Sequence, residues 1–241
     1  MDREALIFLH IPKTARTTLN RIIERQYSPF AIFTMDPYRI RATAERLKRL
    51  PEGRRRRLRV VRGHLFYGIH EFPPQGATYI TMLREPVARV LSACYFILRR
   101  PLHPLHRKLK RERLGVEDCL RLFPHRQNLQ CRLIAGVEDT ATGDERLLDI
   151  SKENLTKSFS VVGICERFEE SLVLTAKTFG CEVRFMRIKS FEESLDSRYG
   201  RTKISRPHKG SIIVLMMNFI SSRSRRSKKT CAKRKMQVEK A

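Results

Sequence analysis

The stretch Ala5–Leu19, ALIFLHIPKTARTTL, constrains the fold more than any other part of the chain. Ala5–Leu9 is an apolar run with no polar alternation, the pattern of a strand buried on both faces of a parallel sheet. His10, Ile11, Pro12, Lys13, Thr14 and Ala15 then form a short turn. From Thr17 and Thr18 onward Leu19, Ile22 and Ile23 recur at helical spacing. A buried strand, a Lys/Thr-rich turn and a helix start together make a grip for an anion, because the N–H groups at a helix N-terminus and the helix dipole both favour negative charge. Lys13 adds a full positive charge, and the hydroxyls of Thr14, Thr17 and Thr18 can donate hydrogen bonds. No glycine precedes Lys13, so the turn is not a P-loop of the form G-x-x-x-x-G-K-[ST]. The plainer alternative is a strand-to-helix connection whose polar residues are simply solvated.

A second junction of the same kind follows later. Ala77–Leu83 (ATYITML) is a nearly continuous apolar strand that runs into Arg84-Glu85-Pro86. Beyond it Val87, Val90, Leu91, Cys94, Tyr95 and Leu98 mark one face of a helix, with Pro86 at or near its first position, where a missing N–H costs nothing. Arg84 at the strand end and Ser92 two helical turns on can clamp a phosphate, the arginine through its two-pronged guanidinium. Between the two junctions a short strand over Arg59–Arg62 ends in Gly63-His64, with His70 six residues further. Catalytic and ligand-binding groups in open α/β sheets collect at such strand ends. Arg84 also has an ordinary reading as an ion pair with Glu85, and the two histidines as structural residues.

The motifs in order carry a family resemblance. H-I-P-K-T-A-R-T-T resembles the H-I-P-K-T-A-G-T-T/S loop of the sulfotransferases related to heparan sulfate 2-O- and 6-O-sulfotransferases. R-E-P-V-A-R-V-L-S resembles their R-[DE]-P-x-x-R-x-x-S element. N-L-Q-C-R-L-I-A-G and V-V-G-I-C-E-R-F-E-E-S-L resemble two further segments, and the similarity spans roughly residues 5–207. It implies a single P-loop-like α/β domain, a parallel sheet flanked by helices in three α/β/α layers. It also implies a sulfotransferase that takes its sulfuryl group from 3′-phosphoadenosine 5′-phosphosulfate (PAPS) and passes it to a carbohydrate or polysaccharide hydroxyl, with no metal. In that family the first loop holds the 5′-phosphosulfate, which assigns Lys13, Thr14, Ala15, Arg16, Thr17 and Thr18 to the cofactor. Arg84 and Ser92 are assigned to its 3′-phosphate. The family carries a G-H motif after its second strand whose histidine is the proposed general base; His64 matches it and His70 is the alternative. Asn128, Gln130 and Arg132 fall where the family's helix runs along the ligand, although packing and capping explain them equally well. Arg16 replaces the family's glycine, and the expectation is weaker PAPS binding and reduced or absent activity, through lost backbone freedom and added bulk.

Charge narrows the partners. The chain has 50 Lys and Arg against 25 Asp and Glu, a net charge of +25 over 241 residues. That excess demands anionic partners: a phosphorylated cofactor, a polyanionic sugar or, less in keeping with the motifs, nucleic acid. Residues 205–241 hold eleven Lys/Arg and one acidic residue, so ten of the excess charges lie there. Segment 208–241 reads as a basic tail: a disordered polyanion-binding arm, a membrane-surface anchor, or an aberrant terminus from a shifted reading frame. Arg54–Arg57 is the densest patch of the main body and reads as a solvated loop, or as a contact for an anionic sugar. The six cysteines show no C-x-x-C spacing, which leaves little case for a metal site. Ile212–Ile220, the longest apolar run, is shorter than the about 20 residues a membrane span needs. With no secretory pattern at the N-terminus the expected location is the cytoplasm. Two other functions compete: a nucleotide-dependent phosphotransferase, which lacks a clear Mg²⁺-binding aspartate after a strand, and a basic polyanion-binding or catalytically inactive protein.

Overall fold

The computed structural model describes residues 4–111, 128–138 and 144–179. Its five strands are β1 (Ala5–Leu9), β2 (Ile32–Thr34), β3 (Val60–Gly63), β4 (Ala77–Leu83) and β5 (Phe159–Ile164). They form one parallel sheet in the order β2-β3-β1-β4-β5. Among the described residues the helices are α1 (Arg16–Gln26), α2 (Ile40–Lys48), α3 (Glu52–Arg57), α4 (Pro86–Leu98), α5 (His106–Arg111), α6 (Leu129–Ala135), α7 (Asp144–Lys157) and α8 (Phe168–Phe179).

β1 lies at the centre, with Leu9 opposite Gly63 on one side and Thr81 on the other. All five of its residues are buried, which is why the run lacks polar alternation. Leu6 and Phe8 join Val60, Ile80 and Met82 against Leu19 and Ile23 of α1 and Leu172 of α8. Ile7 and Leu9 join Val61, Tyr79 and Leu83 on the opposite face, against Leu47 of α2, Leu133 and Ile134 of α6, and Leu147 and Leu155 of α7. The result is the expected three-layer α/β/α arrangement. Because every strand is parallel, the turns after β1, β3, β4 and β5 emerge on one edge of the sheet, where ligands of such folds bind.

Several local expectations shift. Arg54–Arg57 is not a loop but the body of α3. Glu52 in its first turn and the arginines in its last turn suit the helix dipole, and Arg56 pairs with Glu52 at 2.6 Å one turn apart. Residues 28–38 resolve into a 3₁₀ turn, Pro29–Ala31, leading into β2. β2 makes His64 follow the third strand rather than the second. Residues 112–127, 139–143 and 180–241, the last including the basic segment 208–241, lie outside the described residues. Among the described residues no helix is long and apolar enough to cross a membrane.

Gly63 closes β3 with φ +134°, and a Cβ there would lie 2.9 Å from the Met35 carbonyl oxygen. Both its torsion and the close approach of residue 35 exclude a side chain. Gly63→Ala is therefore expected to destabilise the fold by about 1–3 kcal/mol, read as a lower urea midpoint at unchanged slope.

Candidate functional site

The turn after β1 takes an unusual path without glycine. Lys13 and Ala15 both adopt the left-handed region, at φ 72° and 57°. For an L-residue that conformation costs roughly 1–2 kcal/mol, so neighbouring bonds must hold it. Thr14 supplies one: its buried hydroxyl donates to the Ile11 carbonyl at 2.7 Å. The His10 N–H supplies another, to the Gly63 carbonyl at 2.9 Å. The hydroxyl proton of Thr14 is thus engaged within the turn, and what Thr14 can offer an anion is its backbone N–H.

The turn delivers the chain into α1 with that helix's first N–H groups open. Ala15 is the N-cap and has no side chain to accept from them, and the first turn contains no acidic residue. The orphan donors common to every helix start are left for something else to satisfy. Thr17 and Thr18 stand in this first turn, Thr17 exposed and Thr18 half-buried. Arg16 is the first helical residue, with an exposed side chain, and it is not among the positive-φ positions. The backbone freedom of a glycine is not required there, which removes one of the two reasons for expecting Arg16 to impair the loop.

The turn after β4 is built in the opposite way. Gln130, fully buried on α6, closes a two-bond clamp on the Arg84 peptide: its carboxamide oxygen accepts from the Arg84 N–H at 3.0 Å, and its nitrogen donates to the Arg84 carbonyl at 2.8 Å. Glu166, in the 3₁₀ turn Cys165–Arg167 after β5, accepts from the Glu85 N–H at 2.9 Å. The Glu85 carboxylate caps α4 by accepting from the Val87 and Ala88 N–H groups. Glu85 is therefore a helix cap, and Arg84 does not spend its charge on it. The Arg84 guanidinium instead reaches the first loop, where Nη1 donates to the Lys13 carbonyl at 3.4 Å. The Lys13 ammonium lies 4.4 Å from the centre of the Phe96 ring on α4. Ser92 is buried one turn before Phe96, on the same side of that helix. Lys13 and Arg84 are thus brought together, with Ser92 buried on the Phe96 side of α4.

His64 joins them from β3. Its ring centre is 4.5 Å from that of His10, and it forms a hydrogen bond to the His10 backbone. The His10 N–H is already used, so the partner is the carbonyl, which can only accept. Burial and then the Arg16 charge bring the His64 pKa down to about 4, against a smaller upward pull from that hydrogen bond. His10, buried beneath it with neither ring nitrogen bonded, is pushed down to about 2, by burial first and then by His64, Arg16 and Lys13. Both imidazoles are neutral at pH 7.

His70 is elsewhere. Its Nδ1 lies 3.3 Å from the Tyr79 hydroxyl, which also accepts from the Gly68 and Ile69 N–H groups. Burial pushes the Tyr79 phenol upward, so it stays protonated. Tyr67, Tyr79 and Phe159 stack beside His70 and make that corner part of the core. Arg132 donates to the Glu138 carbonyl, and Asn128 is the left-handed residue preceding α6, so both serve the ends of α6. His103 and His106 bond to nearby backbone, at Leu105 and Ile97. Cys165 is a free thiol pushed up to about 12, chiefly by burial. The clamping roles of Gln130 and Glu166, and the placement of His10 and Phe96, had no local signature. The nearest to one is a glutamine in the otherwise apolar face of LQCRLIA.

The sequence model of the sulfotransferase family matches residues 1–237. The chain belongs to the sulfotransferase family. No curated protein matches this sulfotransferase. Among solved structures, that of the mouse sulfotransferase SULT7A1 complexed with PAP is similar at 18% identity and a TM-score of 0.43, over 86% of this chain and 68% of that one.

Two outcomes follow for the sulfotransferase from the geometry above. Gln130→Met removes both partners of the Arg84 peptide and is expected to cost about 1–3 kcal/mol in urea denaturation. The two histidines set a pH dependence. Their folded pKa values lie below the unfolded value of 6.5, so below pH 6.5 the unfolded chain binds protons that the folded chain refuses. Their contribution is complete above pH 6.5 and is lost as pH falls, toward 4 for His64 and on toward 2 for His10; urea midpoints measured below pH 6.5 should drop, and less steeply in His10→Phe.

Proposed function

We propose that this sulfotransferase moves the sulfuryl group of PAPS to a hydroxyl of a carbohydrate acceptor, with His64 as the general base. The observation that carries the reading is the open N-terminus of α1, flanked by Lys13 and by a neutral His64 at the ligand-binding edge of the sheet. An uncapped helix start without acidic residues suits a phosphosulfate, whose oxygens would accept from the backbone N–H groups of Thr14 to Thr18 and from the hydroxyls of Thr17 and Thr18. PAPS is consumed as a donor substrate: the sulfur–oxygen bond to its 5′-phosphate breaks as a new one forms to the acceptor oxygen, and 3′,5′-adenosine bisphosphate (PAP) leaves.

Each residue has a part in that exchange. Negative charge grows on the leaving phosphate oxygen, and the Lys13 ammonium is placed to offset it. Electrostatic help of this kind is usually the largest contribution in transfers of this type. Arg84 and Ser92 hold the 3′-phosphate, the guanidinium being fixed by the clamp on its own peptide. His64 takes the acceptor proton on an imidazole nitrogen. Burial first, and then the Arg16 charge, keep that imidazole unprotonated at neutral pH.

The assay is transfer of labelled sulfate from PAPS to a panel of glycans. His64→Ala is expected to lose about 10²–10⁴-fold in kcat, and Lys13→Ala to be impaired comparably. Bulk polyanion binding unaffected by either substitution, with no transfer by the native chain, would leave only a binding protein. The acid limb of kcat/KM should fall near pH 4 and move upward in Arg16→Gly, since removing the nearby cation raises the base's pKa. An unmoved limb would separate Arg16 from the base.

A further inference from the structure

The proposed transfer site occupies one edge of the sheet, and the densest basic surface among the described residues occupies the other. Lys13, His64 and Arg84 follow the ends of β1, β3 and β4, whereas α3 leads into the start of β3. The beginnings of the strands are marked by the Leu6 N–H bonded to the Arg59 carbonyl and the Ala5 N–H bonded to the Gly76 carbonyl. The length of β1, roughly 17 Å at about 3.3 Å per residue, separates the two edges.

The last turn of α2 and the whole of α3 form one surface. Lys48 of α2 approaches the Phe72 ring at 5.9 Å, and Arg55 of α3 donates to the Phe72 carbonyl at 2.9 Å, so both helix ends converge on that residue. Around this point Arg46, Lys48, Arg49, Arg54, Arg56 and Arg57 are exposed, against Glu45 and Glu52. Glu52 is taken by Arg56, and Glu45 lies 4.0 Å from Arg49. The side chains of Arg54 and Arg57 form no ion pair or hydrogen bond among the described residues. The helix dipole accounts for a cation or two at each helix end. It does not account for four successive arginines on a six-residue helix, whose mutual repulsion opposes folding until an anion is present.

We propose that the α2–α3 surface is an exosite for a linear anionic polysaccharide, which it grips at a distance from the transfer site. The chemistry favours arginine: five of the six exposed cations are guanidiniums, whose forked donors match sulfate and carboxylate oxygens. The assignment to a polysaccharide rests on the carbohydrate-acceptor reading. A long acceptor can engage both edges of the sheet and so gain effective concentration at the second, while a short one meets only the transfer site.

The test uses the full chain and size-defined heparin fragments as the probe. A triple variant, Arg54→Ser/Arg56→Ser/Arg57→Ser, is compared with a tail variant, Arg223→Ser/Arg225→Ser/Arg226→Ser, after thermal melting has shown both to be folded. The triple variant is expected to bind heparin about tenfold more weakly at low salt, with a shallower salt dependence. Its transfer rate to a monosaccharide-sized acceptor should be unchanged. Native affinity in the triple variant, with binding lost only in the tail variant, overturns the proposal. Equal losses for heparin and for a single-stranded oligodeoxynucleotide of the same charge overturn its assignment to a polysaccharide. Failure of the native chain to sulfate any carbohydrate would instead count against the acceptor reading, because the heparin affinities do not depend on turnover.

Discussion

The hydrogen-bonded clamp between the Gln130 carboxamide and the Arg84 peptide ties together parts of the molecule that share no sequence neighbourhood. α6 packs on one face of the sheet, and through Gln130 it fixes the backbone where β4 ends. That backbone aims a guanidinium at the carbonyl of Lys13, in the loop after β1. Glu166 adds a third hold from the turn after β5. Three crossovers of a parallel sheet thereby converge on Arg84 and the two peptides that flank it. Hydrogen bonds of this sort contribute modestly to net stability, but unmade ones in a buried setting are expensive, so the geometry is strongly determined.

The two strand-to-helix junctions at this edge divide the work. α4 is satisfied internally by Glu85, and its N-terminus is closed to a ligand. α1 has alanine at the same position and remains open. The open helix start therefore belongs to one junction and the charge of Arg84 to the other. The left-handed torsions of Lys13 and Ala15 fit this division: strain is concentrated where a ligand would be held and is opposed by the buried Thr14 bond.

Much of this was legible in the residues. The unbroken apolar runs at 5–9 and 77–83 announced parallel strands, and Pro86 marked a helix start within one residue of its position. The meeting of Arg84 with the Lys13 loop is in keeping with two similar junctions in the right order. Other features required tertiary contacts. Nothing local separates His64 from His70; one lies against His10 at the sheet edge and the other against a core tyrosine hydroxyl. Likewise, Arg54–Arg57 looks like a solvated loop until the Glu52 pairing and its place before β3 show a helix at the far edge. Arg16 was suspect as a replaced glycine, yet its torsion is ordinary, and the left-handed positions nearby fall to Lys13 and Ala15.

The stack of Tyr67, Tyr79 and Phe159 has a practical corollary. The chain contains no tryptophan and only six tyrosines. Two of those tyrosines sit with ring centres 5.1 Å apart beside the segment that follows His64. Near-ultraviolet circular dichroism of this protein is consequently dominated by phenol chromophores rather than indole. The rigid Tyr67–Tyr79 couple should supply much of that signal, which makes the native chain its own optical gauge of order in the segment after His64, with no label attached.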